Sequence, residues 1–249
     1  MYLAEVSMWD VVKKQFRFKL KSYRGVFSSL MVLQIIGLLF SMNGEGMSGG
    51  GTEYFGYEVK FFTGSLILAF VMVWAFISSI LFTTKAYRYD DFSFVSNRAA
   101  SHFSNILFMM YSSVLAAVTV YLSSYVLKLI VQLSGSGAYI LSAPMTFGGF
   151  LSGMGGMILY IFLLAALGYV CGMLVQYSKI FLGVLPAVVF GAVFLEGFYS
   201  HNEPTLIPMI FSFFGRETSF FLFAVKVIVV SAIAFGTAIL ISNRMEVKQ

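Results

Sequence analysis

Charge is the scarcest property of this sequence. Only 11% of the 249 residues are Asp, Glu, Lys or Arg, against about 25% in a soluble domain. Cysteine is nearly absent too. The single Cys171 excludes an internal disulfide and a cysteine metal cluster, and mid-span it reads as a small buried residue. The two histidines, His102 and His201, fall on opposite sides of the topology derived below, which excludes a His-pair metal site within one chain. No Gly-Lys dipeptide occurs anywhere, so the chain has no Walker A nucleotide loop. An intramembrane serine protease needs a glycine-flanked serine with a histidine at membrane depth. The nearest string, Phe150-Leu-Ser-Gly153, has Phe where Gly is required. No paired acids lie inside an apolar stretch, as a proton relay would need. These residues offer no catalytic centre.

Apolar residues are abundant instead: 59% of the chain is hydrophobic and 18% aromatic. Stretches able to cross a ~30 Å hydrocarbon layer at ~20 residues each fall at Gly25–Met42, Phe61–Phe82, Asn105–Val131, Met154–Val175, Ile180–Phe198 and Ser219–Ser242. The reading is an all-α membrane protein with six transmembrane helices. The first apolar stretch follows a charged segment and is as long as a full span, which is the pattern of a span and not of a cleavable signal peptide.

The basic residues orient these spans. Lys13, Lys14, Arg17, Lys19, Lys21, Arg24, Lys85, Arg88, Arg98, Lys179, Arg244 and Lys248 lie on the side of the termini, and only Lys60, Lys128, Arg216 and Lys226 on the other. Twelve bases against five acids give +7 on the first side, and four against six give −2 on the second, matching the net +5. By the positive-inside rule both termini are cytoplasmic. The basic balance is a topology signal and does not point to nucleic acid.

Residues 1–24 contain an amphipathic helix. Trp9, Val12, Phe16 and Leu20 recur at three- and four-residue spacing, with Asp10, Lys13, Lys14, Arg17, Lys21 and Arg24 on the other face. This helix fits the inner lipid interface, with an ordinary charged flank as the plainer reading. The outer stretch 43–60 is rich in glycine and is expected to be a mobile loop. Between spans two and three, about 83–104, lies a polar cytoplasmic segment carrying Tyr87, Tyr89, Phe92, Phe94 and Val95. Asp90 or Asp91 can cap a short helix there, and exposed aromatics on such a helix fit a partner's groove or the membrane-interface belt. Gly149, Gly153, Gly155, Gly156, Gly168 and Gly172 are expected to let helices approach closely. Pro186 is expected to kink the fifth span. The apolar, proline-broken segment at about 199–218 is too short to cross and is expected at the outer interface. Glu196 and Lys226, near the outer edge, either pair or snorkel to the headgroups.

The order of these parts resembles the type-2 ABC exporter permeases. Four features carry the likeness: the basic amphipathic helix, six spans with both ends inside, the polar helix between spans two and three, and the apolar non-spanning segment between spans five and six. Phe94-Val-Ser-Asn-Arg98 followed by Ser101-His-Phe-Ser-Asn105 is similar to the Ser-x-Arg-like element that leads into the family's third span. The family's frequent preceding proline is absent. The resemblance implies an elbow helix at 1–24 with Trp9, Phe16 and Arg17, a six-span domain at 25–242 and a short cytoplasmic tail at 243–249. It implies an ATPase-coupling helix with Asp90, Asp91, Phe92, Phe94, Val95 and Arg98. It further implies a second permease chain as a homodimer, two copies of a separate ATPase subunit holding ATP and Mg, and no cofactor in this chain. Residence in the plasma membrane and export of amphipathic or hydrophobic peptides follow from the same likeness, while the substrate-binding residues stay unassigned. A stand-alone channel or secondary transporter, and a non-transporting scaffold or sensor, are the competing classes.

Overall fold

A computed structural model describes residues 7–52, 55–87, 98–134, 146–199 and 206–244. The chain forms helices α1 (Met8–Ser22), α2 (Arg24–Ser41), α3 (Ser65–Phe82), α4 (Arg98–Leu133), α5 (Phe147–Tyr177), α6 (Phe181–Tyr199), α7 (Leu206–Gly215) and α8 (Phe220–Arg244). Two strands, β1 (Gly46–Thr52) and β2 (Phe55–Phe61), lie between α2 and α3. Helices dominate because long runs of Leu, Ile, Val, Phe and Ala in an apolar solvent must satisfy every backbone polar group within their own segment.

Among the described residues five helices, α2, α3, α4, α5 and α8, are long and apolar enough to cross a membrane. The protein is therefore a multi-pass, helical membrane protein. The described apolar part of α6, Phe181–Glu196, falls below that length. Pro186 lies inside α6, which continues past it to Tyr199. At 36 and 31 residues, α4 and α5 exceed a bilayer crossing. The helix α4 begins at Arg98, so Ser101, His102 and Ser104, expected in a loop, sit in its first turns. Likewise α3 begins at Ser65, because Phe61 belongs to β2.

Close packing centres on α3 and α5. A methyl at Gly168 would fall on the Phe76 backbone, 3.0 Å from its Cα, and one at Gly172 would lie 3.0 Å from the Ile80 Cα. Gly37 does the same for α2, 3.1 Å from the Ile67 Cα. Small residues are what allow such approach where lipid removes the hydrophobic drive for helices to associate. The expected glycine pattern holds only in part. Gly155 meets the Phe220 ring, but Gly153 and Gly156 face open space. The core continues through Val71, Trp74, Ala116, Ala117, Ile161, Ala166 and Tyr169 into Phe235 and Ala238 of α8. Polar cross-links supplement it: Gln34 Nε2 donates to Thr119 Oγ1 (2.7 Å), and Trp74 Nε1 donates to Ser29 Oγ (2.9 Å).

The glycine-rich stretch after α2 is not a loop. Its strands pair antiparallel from Gly46 opposite Phe61 to Thr52 opposite Phe55. The short α7 has ten residues, fewer than a membrane crossing needs. It is held to α8 by Lys226, which pairs with Glu217, donates to the Phe213 carbonyl (3.3 Å) and lies 4.2 Å from the Phe213 ring centroid. The partner of Lys226 is thus Glu217, eliminating the Glu196 pairing.

Candidate functional site

The end of the bundle that carries α1 is built as a junction. One stripe of α1, formed by Val12, Gln15 and Lys19, is buried. These residues repeat at i, i+3 and i+7, the spacing that places side chains on one helical face. The face packs on α4. Flanking contacts extend it: the Trp9 and Phe103 rings are 6.0 Å apart, and Phe16 meets Tyr111 edge-on at 6.0 Å.

At the centre lies a lysine that solvent does not reach. Lys19 is 1% exposed. Its Nζ donates to Ser104 Oγ (2.7 Å) and to Asn105 Oδ1 on α4. Asn105 Nδ2 in turn donates to the Tyr169 hydroxyl on α5 (3.2 Å), and His102 Nδ1 lies 2.8 Å from the same hydroxyl. Asn105, His102 and Tyr169 are all buried. Removing an ammonium from water costs several kcal/mol, and neighbouring acceptors must offset it. Here the acceptors come from α4, and their own partner comes from α5. One network therefore ties three helices together.

Next to this network an aromatic box closes the junction. Tyr23 separates α1 from α2, and its ring lies 4.7 Å from Tyr87, 5.7 Å from Phe82 and 6.0 Å from Phe108. Phe82 also contacts Tyr87 at 5.3 Å and Phe108 at 5.0 Å. Edge-on and tilted pairs of this kind each contribute about 0.5–1.5 kcal/mol beyond simple burial. Tyr87 is the last described residue before segment 88–97, and α4 resumes at Arg98. The segment's leading flank is thus pinned by Tyr23, at the joint of α1 and α2, and by Phe82 of α3, and its trailing flank becomes the helix that holds Lys19.

Of the residues singled out in the sequence, Asp90, Asp91, Phe92, Phe94 and Val95 lie outside the described residues. Arg98 is the first residue of α4. Trp9 and Arg17 are exposed on α1, and Phe16 is half-buried. Sequence reasoning missed Lys19, His102 and Tyr169 as a unit. The available signal was a lysine and a glutamine standing on the apolar stripe of an amphipathic helix.

At the opposite end of α3 the Glu45 carboxylate forms a second polar centre. Oε1 accepts from the Gly64 N–H (2.9 Å), and Oε2 accepts from the Ser65 N–H (3.0 Å), the Ser65 hydroxyl (2.9 Å) and the Thr63 hydroxyl. It thereby caps the first turn of α3, whose amides lack helical partners. Gly64 has φ +81, and a Cβ there would press on Ser124, so only glycine fits this approach. Burial alone would raise the Glu45 pKa, but hydrogen bonds from Thr63, Ser65 and Ser41 outweigh it, leaving it below the ordinary carboxylate value.

A narrow cavity inside the bundle is lined by Trp74, Ser78, Ser79, Ser112, Ser113 and Ala165, among others. Ser79, Ser112 and Ser113 donate back to carbonyls of their own helices (2.7–2.8 Å), a pattern that satisfies the hydroxyl locally. Among the described residues no three His, Cys, Asp or Glu side chains come together to hold a metal. No protein-family model, curated protein or solved structure matches the chain.

Proposed function

We propose that the chain is the transmembrane permease subunit of an ATP-driven ABC exporter, moving amphipathic or hydrophobic peptides out of the cell. In this reading α6 is a sixth span, both termini are cytoplasmic, and the membrane is the plasma membrane. Its 19 residues extend ~28 Å at 1.5 Å per residue, close to the thickness of the hydrocarbon layer. The segment at about 83–104 is the coupling loop, with Asp90, Asp91, Phe92, Phe94, Val95 and Arg98 at the ATPase contact, and α1 is the elbow helix.

The observation that carries the proposal is the junction. Tyr87 packs against Tyr23 and Phe82 on one side of the segment. On the other side α4 carries Ser104 and Asn105, which hold Lys19 of α1. A force applied to the segment by a moving partner therefore reaches α1, α3 and α4 together. ATP and Mg belong to two copies of the partner chain.

The pathway lies between two copies of this chain. The surface of α6 supports that arrangement, because Leu182, Val188, Phe190 and Phe194 are all exposed. Gly183 and Gly191 on the same helix have open space where a Cβ would sit, and with Ala187 they repeat every four residues, the spacing of close helix pairs in membranes. Most buried polar side chains of the spans are engaged with one another or with their own helices, as Gln34 is with Thr119 and Ser79, Ser112 and Ser113 are with helix carbonyls. That leaves few to compensate the desolvation of a small polar solute. Apolar aromatic and Met side chains accommodate varied apolar partners.

Co-expression with a candidate ABC ATPase subunit tests the proposal. Phe94→Ala and Arg98→Glu are expected to leave the permease folded while reducing ATPase co-purification and peptide-stimulated ATP hydrolysis. Unchanged association and unchanged transport in both variants overturn the coupling assignment. Transport by the purified chain alone would instead establish a stand-alone transporter.

A further inference from the structure

The buried stripe of α1 accounts for one of its faces; the opposite face holds four bases. Lys13, Lys14, Arg17 and Lys21 are exposed, and at 100° per residue they centre opposite Val12, Gln15 and Lys19. None of the four forms an ion pair among the described residues. Asp10 is the only acid in the helix. Arg24, also exposed, continues the basic surface into α2.

Two apolar side chains flank this face. Trp9 is 56% exposed and Phe18 is 36% exposed, and their positions fall on either side of the basic arc. With its third face packed on the bundle, α1 leaves outward a basic arc bordered by exposed aromatics, the two side-chain types that a membrane interface accommodates together, cations at the phosphates and rings at the acyl boundary. Its location fits as well. Tyr23 alone separates α1 from α2, which is long and apolar enough to cross a membrane, so α1 cannot stand far from the bilayer surface.

We propose that the Lys13, Lys14, Arg17 and Lys21 face of α1 binds anionic phospholipid headgroups of the adjacent leaflet, with Trp9 seated at the acyl boundary. Clustered Lys and Arg beside a membrane span are attracted to anionic headgroups within about one Debye length. The proposal does not depend on the exporter reading, since a lipid site on α1 can exist with or without an ATPase partner.

The chain contains two tryptophans. Replacing the buried Trp74→Phe leaves Trp9 as the only indole. This full-length variant is reconstituted into vesicles containing brominated phosphatidylglycerol or brominated phosphatidylcholine at equal mole fraction. The expected result is Trp9 quenching about twofold or more stronger by the anionic lipid, with the difference shrinking as salt is raised. Adding K13Q, K14Q, R17Q and K21Q is expected to abolish the preference while quenching by the zwitterionic lipid persists. Equal quenching by both lipids with the bases intact overturns the proposal. So does the absence of quenching by either, which would leave the basic face to an acidic protein partner. A preference that survives neutralisation also overturns it. If the neutralised chain fails to fold, the comparison of the two lipids on the basic chain still decides.

Discussion

An ammonium beside a membrane is costly to bury, yet Lys19 is 1% exposed. The arrangement holds because Ser104 and Asn105 accept its protons, and Asn105 in turn donates to Tyr169. In Lys19→Met both acceptors keep their burial and lose their donor. The expected loss is about 1–3 kcal/mol, the ordinary cost of stranded buried polar groups. It should be read as a lower melting midpoint in detergent, together with faster tryptic cleavage within α1 at its already exposed bases, because the backbone around them opens to the protease as the helix lifts from α4. An unchanged midpoint with unchanged cleavage would show that the network does not hold α1. Half of this site was legible in the sequence. Lys19 stands seven residues after Val12, on the stripe that otherwise reads as apolar. Its partner Asn105 is 86 residues away, and nothing in the pattern of a single sequence pairs two polar residues across that distance.

Elements show where the reading by composition succeeds and where it fails. Hydropathy finds the long helices because lipid imposes one length and one solvent on all of them. It fails at the hairpin, where glycine at positions 46, 49, 50 and 51 mimics a loop. The second strand carried the opposite signal: Phe55, Tyr57, Val59 and Phe61 alternate with Gly56, Glu58 and Lys60, a period of two. Helix contacts were only partly readable as well, since Gly168 and Gly172 touch α3 while Gly153, with the same chemistry, touches nothing. At the hairpin's base Glu45 N–H donates to the Phe61 carbonyl (2.9 Å) while its carboxylate caps α3. Hairpin and helix thus meet at one residue. The carboxylate's pKa is lowered in the fold, so its stabilisation is full above the ordinary carboxylate value and disappears as pH falls through the lower folded value. Glu45→Gln should therefore lower the melting midpoint at neutral pH, by the equivalent of about 1 kcal/mol for a lost cap. Acidification should bring the two proteins together. A constant gap at every pH would mean that Glu45 acts by packing and not by charge.

At the scale of the whole molecule, orientation rests on the bases. The junction end holds α1 with its exposed Lys13, Lys14, Arg17 and Lys21, and the hairpin lies beyond the far end of α2 and α3. Holding the basic side inside is favoured because translocating Lys and Arg is costly. If α6 crosses as a sixth span, α8 returns Arg244 to the same side as α1. If α6 does not cross, Arg244 and α1 end on opposite sides. Two single-cysteine positions separate these arrangements once Cys171→Ala removes the native thiol. Gly50→Cys, in β1, should react with an impermeant maleimide added outside intact cells. Asn243→Cys, at the end of α8, should react only after the cells are opened. Outside labelling of both positions would exclude the six-span arrangement and leave five crossings. Labelling of position 50 from the cytoplasm alone would invert the molecule, placing the basic face of α1 and segment 88–97 where no cytoplasmic ATPase could reach them.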